Sequence, residues 1–476
     1  MTTIQRIVKN TGVSGISQIA VSILTFILLI YTARYLGVAE FGNYNFAMSF
    51  TLLFTIFADI GISQLIIREI ARNSHLTGKY FINASMIKIL LSLVTFGSII
   101  FIVNLMNYPR DVMNIIYLFG IYTILMSFAQ MFMSIFQAFE KMEYAAVIMV
   151  TEKIVLIPLG LLVLSCGYGL TELAYVYVFA GAIDAIIGLA LILTKIKSAV
   201  PKIDFSIWKK LTIAAIPFGL NSLFGMFFFK VDTILLYILK NDIAVGIYNA
   251  AYNPLLSFGG ILSGMVVSAI YPVMSKQFIS SKDSLGIVTV LTSKYLAIFG
   301  FPIAIICFIL ADKFIELFYA GQYSSSIIAF QILALFIPIR LVSSITGTLL
   351  TSINKQGIRT FSVFLSAIFN ILLNLVMIPY LSYIGASIAT VLSEIFLYFA
   401  YIHYINKYYK QLNLHKYFIK PLAASLIMGA IIFYFKEYNL FLLISLAFVV
   451  YFIVLIALKT FTSDDVKIFK QIVKKG

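Results

Sequence analysis

The sequence predicts an all-α, polytopic membrane protein with about 14 transmembrane helices, and three observations carry this prediction. Hydrophobic residues make up 62% of the chain and charged residues only 11%, whereas soluble domains contain roughly 45–50% apolar and about 25% charged residues. Apolar stretches of about 20 residues, which is enough to cross roughly 30 Å of hydrocarbon, recur along the whole sequence. Lysines and arginines fall mainly in alternate loops, as the positive-inside rule requires.

The predicted spans are distributed over the whole chain, and no segment between them is long enough to form a soluble domain. They begin near residues 11, 44, 80, 112, 145, 170, 211, 244, 287, 325, 358, 385, 418 and 439. The first 35 residues contain no small-residue cleavage pattern. We therefore interpret them as the first span and not as a removable signal.

The positive charges predict the orientation of the chain. If the amino terminus is inside and successive loops alternate, 27 of the 34 lysines and arginines lie on the inner side and five on the outer side. This bias indicates an even number of spans in a plasma membrane, with both termini in the cytoplasm. The net charge of +15 then reflects topology and contact with anionic lipid headgroups, and we expect no nucleic-acid partner.

A weak internal repeat predicts two lobes of six helices each. Residues 42–47 open the second span and residues 246–251 open the eighth, and both read G-x-Y-N-x-A. Gly169 and Gly385 repeat in a similar way at the start of spans six and twelve. Parallel repeats of this kind are a transporter architecture. The predicted division is an N-terminal lobe at 1–197, a C-terminal lobe at 198–410, and two additional helices with a basic cytoplasmic tail at 411–476.

The short loops argue against an enzyme. A membrane glycosyltransferase or polymerase would normally build its catalytic site on a sizeable outer loop, but the outer acidic residues are sparse and form no paired-carboxylate pattern. The sequence contains no Walker A motif, and Cys166 and Cys307 form no metal or redox pattern. We expect no cofactor and no metal site, apart from H⁺ or Na⁺ as a coupling ion.

Four cations in or beside the spans are candidate substrate contacts, because a charge at that depth costs several kcal/mol unless it faces a cavity or a partner. They are Arg340, Lys230, Arg34 and Lys88. Arg340 follows Pro338 by two residues, so a helix break there would aim a cation and free backbone groups inward. The other three have structural alternatives: Lys230 and Lys88 can snorkel to an interface, and Arg34 can anchor the outer end of span one.

Four acidic residues are candidates for a coupling site or a gate. They are Asp59, Asp184, Asp232 and Glu394. Asp59 lies near the inner end of span two, where we expect it to cap a helix or to pair with Arg68 or Arg72. Asp184 lies in mid-span among small residues, where it can pair with a buried base.

Neighbouring charges offer local explanations at two places. Asp232 is two residues from Lys230, so the two side chains point about 200° apart around the helix and do not neutralise each other directly. Glu152 is followed by Lys153, and we interpret it as local charge balance near the inner interface.

An ordered set of short motifs resembles the polysaccharide-transporter family of oligosaccharide flippases, the O-antigen or Wzx type. The matching stretches are 33–37 with 40–44, 59–61 with 68–69, 139–144 with 152–153, Pro217 with Asp232 and 246–252, and 370–374 with 378–379, 385–386 and 389–390. Together they cover nearly the full length. The family belongs to the multidrug/oligosaccharidyl-lipid/polysaccharide exporter superfamily, which also contains peptidoglycan-precursor flippases.

The resemblance implies a two-lobed transporter whose central cavity opens to one side at a time. Its implied substrate is a polyprenyl-diphosphate-linked oligosaccharide for cell-surface polysaccharide biosynthesis, with membrane lipids and polysaccharide polymerase or glycosyltransferase machinery as partners. Cationic cavity residues are a theme of the family, and Arg340, Lys230 and Arg34 are the positions that can serve it here. The alternatives are a cation-coupled drug extruder, a peptidoglycan-precursor flippase and a non-transporting membrane scaffold.

Overall fold

The computed structural model describes residues 3–196 and 203–461, without the side chains of residues 3–11 and 14. These residues form α-helices and short 3₁₀ turns, and no β-strand occurs among them. The helices are α1 (Thr3–Asp59), α2 (Ile62–Arg72), α3 (Thr77–Leu105), α4 (Arg110–Ala138), α5 (Met142–Ser165), α6 (Leu170–Lys195), α7 (Trp208–Leu239), α8 (Asp242–Ser280), α9 (Lys282–Ile309), α10 (Ala311–Tyr319), α11 (Ser326–Ala334), α12 (Phe336–Ser352), α13 (Gln356–Tyr408), α14 (Ile419–Tyr434) and α15 (Leu440–Ala457).

Two of these helices are interrupted by one residue with non-helical backbone angles. In α1 this residue is Gly37, with φ 74° and ψ 179°, a conformation that is essentially restricted to glycine. In α13 it is Ser382, with φ 52° and ψ −133°, shortly after Pro379, which removes a helical hydrogen bond.

Twelve helices of the described residues are long and apolar enough to cross a membrane, and counting both halves of α1 and α13 gives 14 spanning segments. The predicted all-α polytopic fold is confirmed.

The chain divides into two compact units. The N-terminal unit contains Met1–Asn249 with Asn374–Ser382, and the C-terminal unit contains Ala250–Leu373 with Tyr383–Gly476. The predicted lobes follow the sequence repeat and stay a prediction. Their boundary at residue 197 and the basic tail from residue 462 lie outside the described residues.

The core of the N-terminal unit is a cluster of apolar side chains from several helices. Phe132 and Phe136 of α4, Ile66 of α2 and Ile148 of α5 all belong to it, and each is at most 5% exposed. Helix α6 approaches α4 closely at Gly188, where a Cβ would lie 2.6 Å from a ring carbon of Phe132. Small residues at such crossings allow the tight van der Waals packing that holds helices together in lipid.

The glycines of the repeated G-x-Y-N-x-A motif lie at one close crossing of α1 and α8, within the N-terminal unit. A Cβ on Gly42 would lie 1.9 Å from the backbone oxygen of Asp242, and a Cβ on Gly246 would lie 2.0 Å from that of Val38. The two motif copies therefore pack against each other, and both need glycine because the backbones leave no room for a side chain.

We expect Gly246→Val to lower the free energy of unfolding by roughly 1–3 kcal/mol, the usual cost of an overpacked interior. Gly264→Val is the matched control, because Gly264 lies on the same helix and a Cβ there would have no neighbouring atom within 4 Å. Thermal unfolding of both variants in detergent micelles checks the prediction. Equal stabilities would contradict it.

The two additional helices, α14 and α15, pack against α9 in the C-terminal unit. Ile306 of α9, Met428 of α14 and Leu443 of α15 share one buried cluster. The hydroxyl of Tyr451 donates a 2.7 Å hydrogen bond to the backbone oxygen of Ile298. The helix pair is therefore part of the core of this unit.

The segment before α7 is fixed to α3 through Asn83. The side-chain oxygen of Asn83 accepts hydrogen bonds from the Asp204 backbone N–H (2.9 Å) and from Trp208 Nε1 (2.8 Å). Lys79 Nζ lies 2.6 Å from an Asp204 carboxylate oxygen, and this hydrogen bond lowers the pKa of Asp204 to about 2. Because the ordinary pKa of aspartate is about 3.9, the contact stabilises the fold above that pH and is lost only as the pH falls through about 2.

Asn83→Ala should destabilise the protein by roughly 1–3 kcal/mol, because two donors lose their acceptor. Trp208 is the only tryptophan, so its fluorescence reports directly on this contact, and we expect both an emission change and an earlier unfolding midpoint. The exposed Asn104 provides the control variant Asn104→Ala. An unchanged Trp208 spectrum in Asn83→Ala would count against the contact.

Candidate functional site

Arg340 and Glu394, two predicted site residues, form an ion pair within the C-terminal unit. Arg340 Nη1 lies 3.6 Å from Glu394 Oε2, and the two side chains are 25% and 3% exposed. The helix is interrupted at Leu335, which places Pro338 in the first turn of α12. A proline is tolerated there because the N–H that it lacks has no intrahelical partner. The helical hydrogen bonding is therefore interrupted before Arg340, but Leu335 keeps right-handed helical backbone angles (φ −68°, ψ −19°), and the inward aim of Arg340 stays a prediction.

The same unit contains an apolar cavity of about 260 Å³, and two of its lining residues are sequence neighbours of Arg340 and Glu394. Its walls are Phe301, Pro338, Ile339, Val342, Ile395, Tyr398, Phe399 and Phe418. Ile339 precedes Arg340, and Ile395 follows Glu394. Helix α9 reaches this wall because Gly300 has no side chain: a Cβ there would lie 2.9 Å from the Cα of Pro338. A partly exposed guanidinium and a hydrocarbon-lined cavity thus come from the same turn of α12.

Lys88 and Asp59, also predicted site residues, form a second ion pair in the N-terminal unit. Lys88 is 0% exposed, and its ammonium donates a short hydrogen bond to Asp59 Oδ1. Asp59 ends α1 and accepts hydrogen bonds from the Ser63 hydroxyl (2.6 Å) and backbone N–H (3.3 Å). It therefore caps the start of α2, as predicted. The geometry commits the Lys88 ammonium to a carboxylate, and a role for it in substrate binding stays a prediction.

The expected pairing of Asp59 with Arg68 or Arg72 is wrong. Both arginines contact Glu69 instead, at 2.8 Å and 3.9 Å, and their side chains are 41% and 70% exposed. The partner of Asp59 arrives from α3 because a largely buried carboxylate needs a desolvated cation. Local spacing along the chain does not indicate such a contact.

Asp232 lies in a buried polar cluster of the N-terminal unit. It accepts hydrogen bonds from the Tyr248 hydroxyl at 3.0 Å and from the Asn374 side-chain amide at 2.5 Å. Lys230 does not neutralise it, as the helical spacing predicts. Lys230 is half-buried on α7 and has no hydrogen-bond or ion-pair partner among the described residues.

Asp184 is the most isolated of the predicted acids. It is 0% exposed, and neither of its carboxylate oxygens has a hydrogen-bond partner among the described residues. The expected pairing with a buried base is not formed, because Lys153 instead contacts its sequence neighbour Glu152 at 2.9 Å.

Arg34 is exposed on α1, three residues before the break at Gly37.

The interpretation of the sequence missed the buried tyrosines beside these acids. The Tyr122 hydroxyl donates a 2.6 Å hydrogen bond to Glu152, and the hydroxyls of Tyr44 and Tyr177 lie 2.8 Å apart. Tyr44 and Tyr248 occupy the same position of the repeated motif. The repeated motif could therefore have indicated that Tyr44 and Tyr248 lie at helix interfaces. Tyrosine suits such a position because its ring fills the interface and its hydroxyl can form a hydrogen bond.

Solved structures with a similar fold include the following two. One is the lipid II flippase MurJ in an inward closed conformation, which is 14% identical, with a TM-score of 0.76 over 92% of this chain and 97% of that one. Another is a multidrug resistance MATE family transporter of the MOP superfamily in an inward-facing conformation, 13% identical, with a TM-score of 0.69 over 84% of this chain and 99% of that one. At these identities the likeness establishes the fold alone.

Two curated proteins are related in sequence. The probable low-salt glycan biosynthesis flippase Agl15 of Haloferax volcanii is 23% identical over 416 residues, 87% of this chain and 86% of that protein. The uncharacterized membrane protein MJ1068 of Methanocaldococcus jannaschii is 27% identical over 181 residues, 37% of this chain and 36% of that protein. A family model for polysaccharide biosynthesis proteins matches residues 7–278, which is more than half of the chain. The chain is therefore a multi-pass membrane protein that belongs to the polysaccharide biosynthesis protein family.

Proposed function

We propose that the chain is a flippase that moves a polyprenyl-diphosphate-linked oligosaccharide from the inner to the outer leaflet of the plasma membrane by alternating access. The family match and the similarity to Agl15, over most of both chains, support a role in glycan biosynthesis. The bias of lysines and arginines supports an orientation with both termini in the cytoplasm. Polysaccharide polymerase or glycosyltransferase machinery would use the product.

One observation carries the choice of substrate class: Arg340 is a partly exposed cation in a spanning helix, and its sequence neighbour Ile339 lines a cavity with apolar walls. A lipid diphosphate needs two things away from bulk water, namely charge compensation for its phosphates and an apolar surface for its isoprenoid chain. Guanidinium groups bind phosphate oxygens through two parallel hydrogen bonds. The cavity walls provide the apolar surface for the isoprenoid chain, since they are mainly phenylalanine, isoleucine, valine and proline.

The remaining predicted residues receive roles within this proposal. Arg340 binds the diphosphate, and Lys230 contacts the headgroup at another stage of transport. Arg34 and Lys88 are weaker candidates, because Arg34 is exposed at a helix end and Lys88 is paired with Asp59. A cation-coupled drug extruder would require a net acidic cavity, whereas the half-buried Lys230 favours an anionic substrate.

Ligand-dependent stabilisation of the purified protein tests this proposal. A ligand that binds only the folded state stabilises it by about 2.7 kcal/mol at 100 times its Kd. We expect stabilisation by a polyprenyl-diphosphate oligosaccharide, with little effect from the free oligosaccharide or from a cationic dye. Stabilisation by the dye alone would favour drug extrusion, and stabilisation by a peptidoglycan precursor alone would favour the precursor-flippase alternative.

A further inference from the structure

Asp184 is a buried acid for which the proposed substrate path has no use. It lies in the middle of α6, is 0% exposed, and both of its carboxylate oxygens lack a hydrogen-bond partner among the described residues. An ionised carboxylate in that position would lose its hydration without compensation, which costs far more than burying a neutral acid. The surroundings of Asp184 therefore favour its protonated form.

The charges around Asp184 point in the same direction. Its charged neighbours are Glu152 and Lys153 of α5, which contact each other at 2.9 Å. Glu152 is 3% exposed and also accepts a 2.6 Å hydrogen bond from the Tyr122 hydroxyl of α4. Two carboxylates thus lie near a single lysine that is paired with Glu152, so the cluster is neutral only when one additional positive charge, such as a proton on Asp184, is present.

The other titratable groups of the cluster are tyrosines, which are neutral at physiological pH. Tyr122 comes from α4, Tyr44 from α1 and Tyr177 from α6 itself, and their rings pack together with centroids 5.2 Å apart for Tyr122 and Tyr177 and 6.1 Å apart for Tyr44 and Tyr177. The ring of Tyr122 packs closely against Gly181, where a Cβ would lie 3.0 Å from that ring. These tyrosines offer hydrogen bonds but no charge.

We propose that Asp184, together with Glu152, forms a proton-binding site inside the N-terminal unit. The carboxylate of Asp184 takes up one H⁺ to become a neutral carboxylic acid, while Glu152 keeps its ion pair with Lys153. Release of that H⁺ to water leaves Asp184 as a second negative charge beside Glu152. This charge is compensated only if Lys153 also contacts Asp184 or if water enters the site. Protonation and deprotonation therefore favour different packings of α5 and α6, which is the property that a coupling site needs.

Infrared difference spectroscopy of the purified protein tests protonation without any transport. At neutral pH we expect a protonated-carboxyl band that disappears in Asp184→Asn and is kept, at a shifted position, in Asp184→Glu. Asp111→Asn is the control, because Asp111 is exposed. A spectrum of Asp184→Asn identical to that of the unmodified protein would overturn the proposal.

The use of this proton in transport rests on the function proposed above, and a second measurement addresses it. With one H⁺ coupled to each lipid, a pH gradient of one unit would shift the final lipid distribution about tenfold. We expect this shift to vanish in Asp184→Asn, while a Na⁺ gradient has no effect in either protein. A shift that persists in Asp184→Asn, or that follows Na⁺, would overturn a coupling role. Failure of the unmodified protein to move any lipid would instead count against the proposed function, and the infrared result would stand independently.

Discussion

Replacing Arg340 by alanine is expected to slow translocation of the lipid-linked oligosaccharide by roughly ten- to a hundredfold. Hydrogen bonds to charged groups contribute about 1.5–3 kcal/mol, and about 1.4 kcal/mol corresponds to a factor of ten. Arg340→Lys should be intermediate, because lysine keeps the charge but cannot bind two phosphate oxygens in a planar fork. The measurement is the initial rate of headgroup exposure in vesicles with matched amounts of folded protein, and Arg110→Ala at an exposed position is the control.

The Arg340→Ala variant also leaves Glu394 buried without its cation, and this structural effect must be separated from substrate binding. Removing one partner of a buried ion pair costs about 3–5 kcal/mol, although the 25% exposure of Arg340 places this pair toward the lower end. Arg340→Ala combined with Glu394→Gln should recover most of the stability but not the transport rate. Recovery of both would show that Arg340 serves only the fold, and would contradict its substrate role.

Lys88→Met should lower the free energy of unfolding by about 3 kcal/mol, the lower end of the cost of removing one partner of a buried ion pair. The variant keeps the length of the side chain but leaves Asp59 without the cation that compensates it. Asp59 retains its hydrogen bonds to Ser63 and is 20% exposed, which limits the cost. Thermal unfolding in micelles measures the effect, with the exposed Lys276→Met as control.

The double variant Lys88→Met with Asp59→Asn decides whether charge or packing causes this loss. Because the asparagine can still cap α2 and carries no charge, we expect it to restore much of the lost stability. A single Lys88→Met variant as stable as the unmodified protein would contradict the ion pair. A double variant less stable than the single one would show that the uncompensated charge of Asp59 is not what destabilises Lys88→Met.

The large features of the fold were predictable because a bilayer imposes them on the sequence. Each span needs about 20 apolar residues, so the fourteen segments follow from composition, and Pro338 indicated the interruption before α12. The two long helices α1 and α13 were harder to foresee as continuous elements. Their halves join through Gly37 and Ser382 without a loop, and hydropathy alone cannot distinguish a sharp bend from a turn.

The contacts of the buried charges were predictable only in part. Sequence reasoning identified Arg340 and Glu394 as ionisable residues at depth, but it did not pair them, since 53 intervening residues separate them. Asp59 was expected to cap a helix or to pair with a nearby arginine; the cap is formed, but the paired cation is Lys88 of α3. Long-range contacts of this kind depend on how helices pack, and local spacing does not encode that packing.

The most direct test of the flippase proposal uses vesicles in which this chain is the only protein. They contain a fluorescent polyprenyl-diphosphate oligosaccharide in both leaflets, and a glycosidase is added outside under a pH or Na⁺ gradient. The proposal predicts that the inner-leaflet fraction, which stays protected in protein-free vesicles, becomes accessible at a rate that rises with the amount of folded protein. An unchanged protected fraction in the presence of folded protein, under either gradient, would contradict it.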